Sequence, residues 1–156
     1  LLTQAAGRAG RGDVPGKVVI QTYKPDNYAI TAAASQDYRA FYDIEEAYRS
    51  LMRYPPEWNM MVIMGTGMDE EQLANIMDRM YSLIRGKYIN AGHLSVIGPS
   101  EPAISKIKDV YRRVLYIKHR DYRMLVDVKD YVEEWLKENG ENDVSVFFDL
   151  NPVNMY

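Results

Sequence analysis

Two strand–helix–strand units follow one another between Trp58 and Tyr156, and this order predicts an α+β fold of the ferredoxin-like, double split βαβ type. Two observations carry the prediction. Residues 68–92 and 121–140 have apolar side chains at helical spacing. The segments around them are short, rich in β-branched residues and bounded by Gly or Pro. We therefore expect a two-layer domain in which helices pack on a sheet.

The elements of this domain can be placed in order. "MMVIMGTG" predicts a strand, and "MDEEQLANIMDRMYSLIRGKYINAG" predicts an amphipathic helix with Asp69 in its first turn and Gly92 after its end. "LSVIGPS" predicts a second strand. "PAISKIKDVYRRVLYIKHR" predicts a short strand followed by a more strongly predicted strand over Arg113–Lys118. "DYRMLVDVKDYVEEWLKENG" predicts a second helix that ends at Gly140, and "DVSVFFDLNP" predicts a last strand. The core-facing residues of the second helix are predicted to be Leu125, Val128, Val132, Trp135 and Leu136.

The residues before Trp58 predict two further pieces. "VPGKVVIQTYKP" predicts a turn and then a strand over Val18–Tyr23, which Pro25 ends. The next segment predicts a helix with Asp26 as a plausible N-cap, and the Pro55-Pro56 pair stops it. The apolar residues at helical spacing in this segment are Phe41, Ile44, Ala47, Tyr48 and Leu51. We therefore divide the chain into residues 1–25, a helical linker at 26–57 and the α+β domain at 58–156.

Composition excludes several classes of protein. With 47% hydrophobic and 26% charged residues, the 156-residue chain is typical of a globular protein. No stretch has the roughly 18 uncharged apolar residues that cross a bilayer, so no membrane partner is predicted. Cysteine is absent, which excludes disulfides and thiolate metal sites and agrees with a reducing cytoplasm. His93 and His119 have no further ligands at metal spacing, so no metal site is predicted.

Charge is distributed unevenly along the chain. Residues 1–25 have four basic side chains and one acidic side chain, a balance of +3, so the remainder carries −6 if the whole chain carries −3. The overall field of the larger part repels phosphate, and any contact with nucleic acid there has to be a local patch.

A glycine- and arginine-rich motif lies close to the first residue. "QAAGRAGRG" is not a Walker A loop, because no Gly-Lys-Ser/Thr follows, and no strand precedes it as a dinucleotide-binding fingerprint requires. Arg8 and Arg11 are three residues apart, so on a helical turn both guanidiniums can reach the same phosphate group. Glycines would let such a turn approach a neighbouring domain closely. The alternative interpretation is a flexible basic tail.

A second basic segment lies in the predicted third strand and its flanks. Tyr111, Tyr116 and Tyr122 are interleaved with its cations, and proteins that bind single strands use aromatic side chains among cations for stacking. The alternative is the solvated face of a strand whose other face is core. The candidate phosphate contacts are Lys106, Lys108, Arg112, Arg113, Lys118 and Arg120.

Gln-x-x-Gly-Arg-x-Gly-Arg resembles motif VI of superfamily 2 helicases. "LLTQAAGRAGRGDVPGKVVIQTYKPD" resembles more closely the end of the second motor lobe in the PriA replication-restart helicases, the primosomal protein N′ family. Further resemblances to this family follow in the expected order in "DYRAFYDIEEAYRSLMRYPPEW", "VIGPSEPAISKIKDVYRRVLYIK" and "FFDLNP". Residues 1–25 would then be the last strand and motif VI of a RecA-like helicase lobe.

The resemblance assigns roles to the motif residues. Arg11 matches the arginine finger that acts on the γ-phosphate of ATP, and Arg8 lies beside it. Gln4 matches the position that links the nucleotide to the lobe interface, with Gly7 and Gly10 at the same site. The intact protein would use ATP and Mg²⁺, and its zinc would lie in an upstream segment. The opposing P-loop lobe is not in this chain, so we expect the chain alone to be inactive and to need no cofactor.

The resemblance also implies a biological function. The intact protein would be an ATP-dependent 3′-to-5′ DNA helicase that recognises stalled replication forks and initiates primosome assembly in the bacterial cytoplasm, associated with the nucleoid. Its partners would be branched and single-stranded DNA, other restart proteins and single-strand-binding protein. Two alternatives remain: a stand-alone nucleic-acid-binding module, and a protein-docking domain without motor activity.

Overall fold

A computed structural model describes residues 1–9, 16–88, 90, 92–141 and 143–153. The chain divides into two compact units, Leu1–Leu51 and Met52–Tyr156. Each unit is described by itself.

The first unit is helical. It contains α1 (Leu2–Ala6), α2 (Tyr28–Ser35) and α3 (Tyr38–Leu51). The sequence predicted one helix here, but the chain breaks it at Gln36, which adopts a left-handed conformation with φ 56°. Asp37 then accepts a hydrogen bond from the backbone N–H of Ala40 and begins α3.

The start of α2 corrects a second prediction. Asn27, not Asp26, is the N-cap, and its side-chain oxygen accepts a hydrogen bond from the backbone N–H of Ala29 at 2.9 Å. A cap needs extended backbone and a side chain aimed at the first free N–H groups, and sequence alone does not separate two adjacent capping residues. The prediction was wrong by one residue.

The strand predicted over Val18–Tyr23 is not formed. Residues 16–24 have no regular secondary structure, and the side chain of Val19 is 80% exposed. A strand is stable only when a neighbouring strand accepts and donates its backbone hydrogen bonds. None of the described residues pairs with this segment, so its β-propensity alone does not order it.

The second unit has the predicted strand and helix order. One short strand, β3, is added to the two strand–helix–strand units; the elements are β1 (Asn59–Gly67), α4 (Glu70–Tyr88), β2 (Ser95–Ser100), β3 (Lys106–Ile107), β4 (Val110–His119), α5 (Tyr122–Asn139) and β5 (Val144–Leu150). The sheet has the order β2-β4-β1-β5 with every pairing antiparallel, and β3 pairs with β4 alone. The predicted ferredoxin-like α+β fold is confirmed.

The hydrophobic core lies between the sheet and the two long helices. Alternate residues of the two central strands, β1 and β4, face α4 and α5 and are fully buried there. Gly65 on β1 lets α4 approach, because a Cβ there would lie 2.6 Å from the Met77 sulfur. The predicted helix residues Leu125, Val128 and Val132 are buried, and Trp135 and Leu136 pack against them. The strand residues of the core are Met61, Ile63, Leu115 and Ile117, and the α4 residues are Leu73, Ile76, Met77, Met80 and Ile84.

The other face of the sheet is only partly covered. The connector, residues 52–58, lies across the end of β4, where the Lys118 ammonium donates a hydrogen bond to the Met52 carbonyl at 3.1 Å and lies 3.7 Å from the centre of the Tyr54 ring. Asn151 ties the end of β5 to β1 through two hydrogen bonds with the backbone of Met60. The connector therefore covers one end of this face and leaves the other end open.

Candidate nucleic-acid interface

Strand geometry separates the two adjacent arginines of β4. Successive side chains of a strand point to opposite faces. Arg113 lies on the helix face, where its guanidinium is 3.7 Å from the carboxylate of Glu70. Arg112 lies on the open face and donates to the Ile104 carbonyl and the Met64 sulfur, each at 3.3 Å. Among the described residues Arg112 has no carboxylate partner.

The two lysines of the β3–β4 hairpin also differ in their surroundings: one is paired with a carboxylate and the other is exposed to solvent. Lys106 forms an ion pair with Asp109 at 3.1 Å and lies 4.4 Å from the centre of the Tyr111 ring. Lys108 is exposed in the turn, where its backbone has a positive φ of 48°. The hairpin thus has one neutralised lysine and one solvated lysine.

Three cations gather where the connector meets the end of β4. The guanidiniums of Arg53 and Arg120 lie 5.0 and 5.3 Å from the centre of the Trp58 ring, which is only 5% exposed, and both arginines are exposed to solvent. Lys118 lies on the Tyr54 ring, near enough to Arg53 to feel its charge, and is 6% exposed. No carboxylate in the described part of the chain pairs with any of these cations, which we call the connector cluster: Arg53, Lys118 and Arg120.

The three cations of the connector cluster repel one another, which opposes folding. Burial lowers the pKa of Lys118, and the charge of Arg53 lowers it further. The two exposed arginines hold their guanidiniums over an aromatic ring, an arrangement that keeps several N–H donors available. An anion bound here would offset the repulsion among the three cations.

The structure therefore brings together two of the six predicted DNA contacts and separates the other four. Lys118 and Arg120 join the connector cluster, whereas Arg113 faces the helices. Sequence reasoning missed Arg53, because its position depends on the connector folding back over the sheet. No pattern in the sequence predicts that contact.

The motif near the first residue is only partly described. Gln4 lies in α1, Gly7 is its C-cap, and Arg8 follows with its side chain exposed. Gly10 and Arg11 lie outside the described residues. The proposed action of Arg8 and Arg11 on one phosphate therefore stays a prediction.

The described residues offer neither a metal site nor a membrane-spanning helix. They contain no group of three or more His, Cys, Asp or Glu side chains that could hold a metal ion. Of the two histidines, His119 is engaged in hydrogen bonds, with its Nε2 3.1 Å from the Gly92 carbonyl. Among the helices formed by these residues, none is both long enough and apolar enough to cross a bilayer.

The buried lysine predicts a pH dependence of stability. The pKa of Lys118 is lowered in the folded chain from its ordinary value of 10.5, so the unfolded chain binds this proton more tightly. Stability therefore rises with pH between the lowered value and 10.5. Lys118→Met lacks this contribution. We therefore expect the unfolding free energy of the wild type to increase relative to that of Lys118→Met as the pH is raised from 7 to 10.5. Urea unfolding followed by tryptophan fluorescence measures both, and a constant difference across this range would contradict the assignment.

The fold and the clustered cations define an α+β domain whose described part presents positive charge without a carboxylate partner, within a chain of net charge −3. Its sequence matches the family model described as the primosomal protein N C-terminal domain over residues 50–153. The chain therefore belongs to the PriA family of replication restart proteins and carries the C-terminal domain of that family. The sequence resemblance is confirmed.

Curated relatives match the chain over its whole length. It is 33% identical to replication restart protein PriA of Bacillus subtilis, over 99% of this chain and 19% of the relative. It is 31% identical to the protein of the same name from Chlamydia trachomatis, over 100% of this chain and 20% of the relative. The chain thus spans about a fifth of the length of these relatives. Among solved structures, a de novo designed protein matches 63% of this chain at 14% identity with a TM-score of 0.48, which is too low to bear on the fold.

Proposed function

We propose that this chain is the C-terminal part of an ATP-dependent 3′-to-5′ DNA helicase that recognises stalled forks and initiates primosome assembly. Within it, the domain from Met52 onward contacts DNA phosphates. The observation that carries the DNA contact is the connector cluster, whose three cations have no acidic partner among the described residues although this part of the chain is acidic overall. Arg112 adds a fourth cation, on the open sheet face, that has no carboxylate partner in the described part of the chain.

Electrostatics support this assignment. A chain of net charge −3 repels DNA at long range, so binding depends on local positive charge that is not already neutralised. Cations that have carboxylate partners, such as Arg113 and Lys106, contribute little to such a field. Guanidiniums match phosphate oxygens with two parallel hydrogen bonds, and Arg53 and Arg120 present theirs to solvent.

The motor residues form the second part of the proposal. In the intact protein Arg11 and Arg8 would contact the γ-phosphate of ATP held with Mg²⁺, and Gln4, Gly7 and Gly10 would shape the nucleotide side of the lobe interface. Zinc would lie in an upstream segment. The phosphate-binding lobe has to come from residues outside this chain, so the chain alone is expected neither to hydrolyse ATP nor to unwind DNA. The protein would act in the cytoplasm at the nucleoid.

A second candidate function is docking of another protein, such as a further restart factor or single-strand-binding protein. The net −6 carried by residues 26–156 favours this alternative, because acidic surfaces repel DNA. The two functions make opposite predictions for DNA binding by the chain itself.

Replacing the unpaired arginines tests the DNA contact. We expect Arg53→Gln/Arg112→Gln/Arg120→Gln to weaken binding of labelled single-stranded and forked DNA by about 10-fold or more, because each charge-assisted hydrogen bond to phosphate is lost. Glutamine keeps part of the stem that packs on Trp58, so the fold should persist. Fluorescence anisotropy measures the Kd.

The matched control removes charges that already have partners. Lys106→Gln/Arg113→Gln lowers the net charge by two and should change the Kd only slightly. Equal weakening by both variants would show a non-specific charge effect. If the wild-type chain does not bind DNA even at low salt, protein docking replaces DNA contact.

A further inference from the structure

The open half of the sheet face has an unusual surface. At the end covered by the connector, Met60 and Val62 are buried although they point away from the helices. At the other end Phe147 of β5 is 59% exposed, which is high for an aromatic side chain on a central part of a strand. Its neighbours two residues along the strand are Ser145 and Asp149, whose short side chains leave the ring accessible.

Three side chains on adjacent strands form a continuous row beside this opening. Phe147 lies directly opposite Met64 in the β1–β5 register, and the Met64 sulfur accepts a hydrogen bond from the Arg112 guanidinium at 3.3 Å. Arg112 lies opposite Thr66 in the β1–β4 register, and its guanidinium reaches along the sheet to the Met64 sulfur. Neighbouring strands are about 4.8 Å apart, so the aromatic ring and the cation are separated by roughly 10 Å. We call Met64, Arg112 and Phe147 the open-face platform.

The chemistry of the platform favours an unpaired nucleotide over an apolar peptide. An exposed aromatic ring offers a stacking surface that accepts any base. Arg112 at the other end has no carboxylate partner among the described residues, so a phosphate can use its charge. Four-stranded α+β sheets are known to bind single strands by stacking bases on aromatic side chains of the uncovered face. The platform has this arrangement of ring and cation.

We infer that the open-face platform binds an unpaired base of single-stranded DNA, with the base stacked on Phe147 and an adjacent phosphate on Arg112. This rests on the proposed DNA contact and specifies it. The connector cluster would hold the backbone by charge alone, whereas the open-face platform would distinguish DNA with exposed bases from DNA without them. Single-stranded regions at forks would then bind more tightly than paired regions.

An abasic strand separates stacking from phosphate contact. Anisotropy is measured for the 156-residue chain with a labelled 12-nucleotide thymidine strand and with an abasic strand of the same length and charge. We expect the wild type to bind the thymidine strand about five-fold or more tightly, since the loss of one stacked base has at least this effect. Phe147→Ala should bring the two affinities together, and Phe147→Trp should restore the difference.

Met68→Ala is the control variant. Met68→Ala removes an apolar side chain that is 76% exposed just beyond the end of β1, and it should leave both affinities unchanged. Equal binding of both strands by the wild type overturns the stacking inference and leaves the phosphate contact in place. A preference for the thymidine strand that survives Phe147→Ala also overturns it, because the bases then stack on another part of the chain. Failure to bind either strand overturns the proposed DNA contact together with the inference.

Discussion

Leu115→Ala is expected to lower the unfolding free energy of the second unit by about 2–5 kcal/mol. Leu115 lies in the middle of β4, directly opposite Ile63 on β1, and is fully buried beneath the two helices. Truncation removes three carbon atoms from the centre of the core and leaves a cavity that the surrounding strands and helices fill only partly. A small domain has about 5–15 kcal/mol of stability, so this single change removes a large share.

The measurement can be confined to one unit. Both tryptophans, Trp58 and Trp135, lie in the unit Met52–Tyr156, so tryptophan fluorescence during urea unfolding reports on that unit alone. Ile107→Ala is the matched control, because Ile107 is a β-branched residue on β3 that is 45% exposed, and it should cost less than about 0.5 kcal/mol. A loss at Leu115 no larger than that at Ile107 would contradict the core described above.

Arg11→Ala is expected to lower ATP hydrolysis about 10³-fold or more in a protein that carries both motor lobes. The reason is that an arginine finger stabilises the charge that develops on the transferred phosphoryl group and acts little on the ground state. The expected loss is therefore in kcat, with a smaller change in KM for ATP. Steady-state phosphate release in the presence of single-stranded DNA measures it.

Two controls confine this effect to the motor. Lys17→Ala removes a nearby exposed cation outside the motif and should leave hydrolysis unchanged. DNA affinity of the Arg11→Ala protein without nucleotide should also be unchanged, because the proposed role of Arg11 is toward the γ-phosphate and not toward DNA. If hydrolysis by the Arg11→Ala protein stays within about three-fold of the wild type, Arg11 is not the arginine finger.

The second unit could be predicted because its signals are local. The apolar period of α4 and α5 lies within these helices, and their end signals lie within or directly beside them: Asp69 just before α4, Glu70 and Glu71 in its first turn, and Gly140 just after α5. The strand and helix order then leaves few topologies open, since antiparallel sheets of this size pack in few ways. The short strand in "PAISKIK" was also found, as β3 paired with β4.

Two of the failures involve contacts with residues distant in sequence. The predicted strand at Val18–Tyr23 has strong β-propensity but no pairing strand in the described part of the chain. Lys118 is predicted as one of six phosphate contacts, and it is buried because the connector folds back over it. Local patterns do not contain such information.

One part of the site was predictable and was missed. Both Arg112 and Arg113 are among the six predicted DNA contacts, although the period of two in a strand places adjacent side chains on opposite faces. Applying that period would have assigned Arg113 to the helix side with Leu115 and Ile117, and Arg112 to the open face. The ion pair of Arg113 with Glu70 still required the structure.

The salt dependence of DNA binding by the wild-type chain tests the central claim most directly. The claim is that unpaired arginines of this domain neutralise DNA phosphates. In a plot of the logarithm of the association constant against the logarithm of salt concentration, each phosphate neutralised on a single strand contributes about −0.7 to the slope. Three neutralised phosphates therefore predict a slope of about −2. A slope near −2 that flattens in the Arg53→Gln/Arg112→Gln/Arg120→Gln variant is the predicted result. Binding that does not change with salt, or a slope unaffected by that variant, would contradict it.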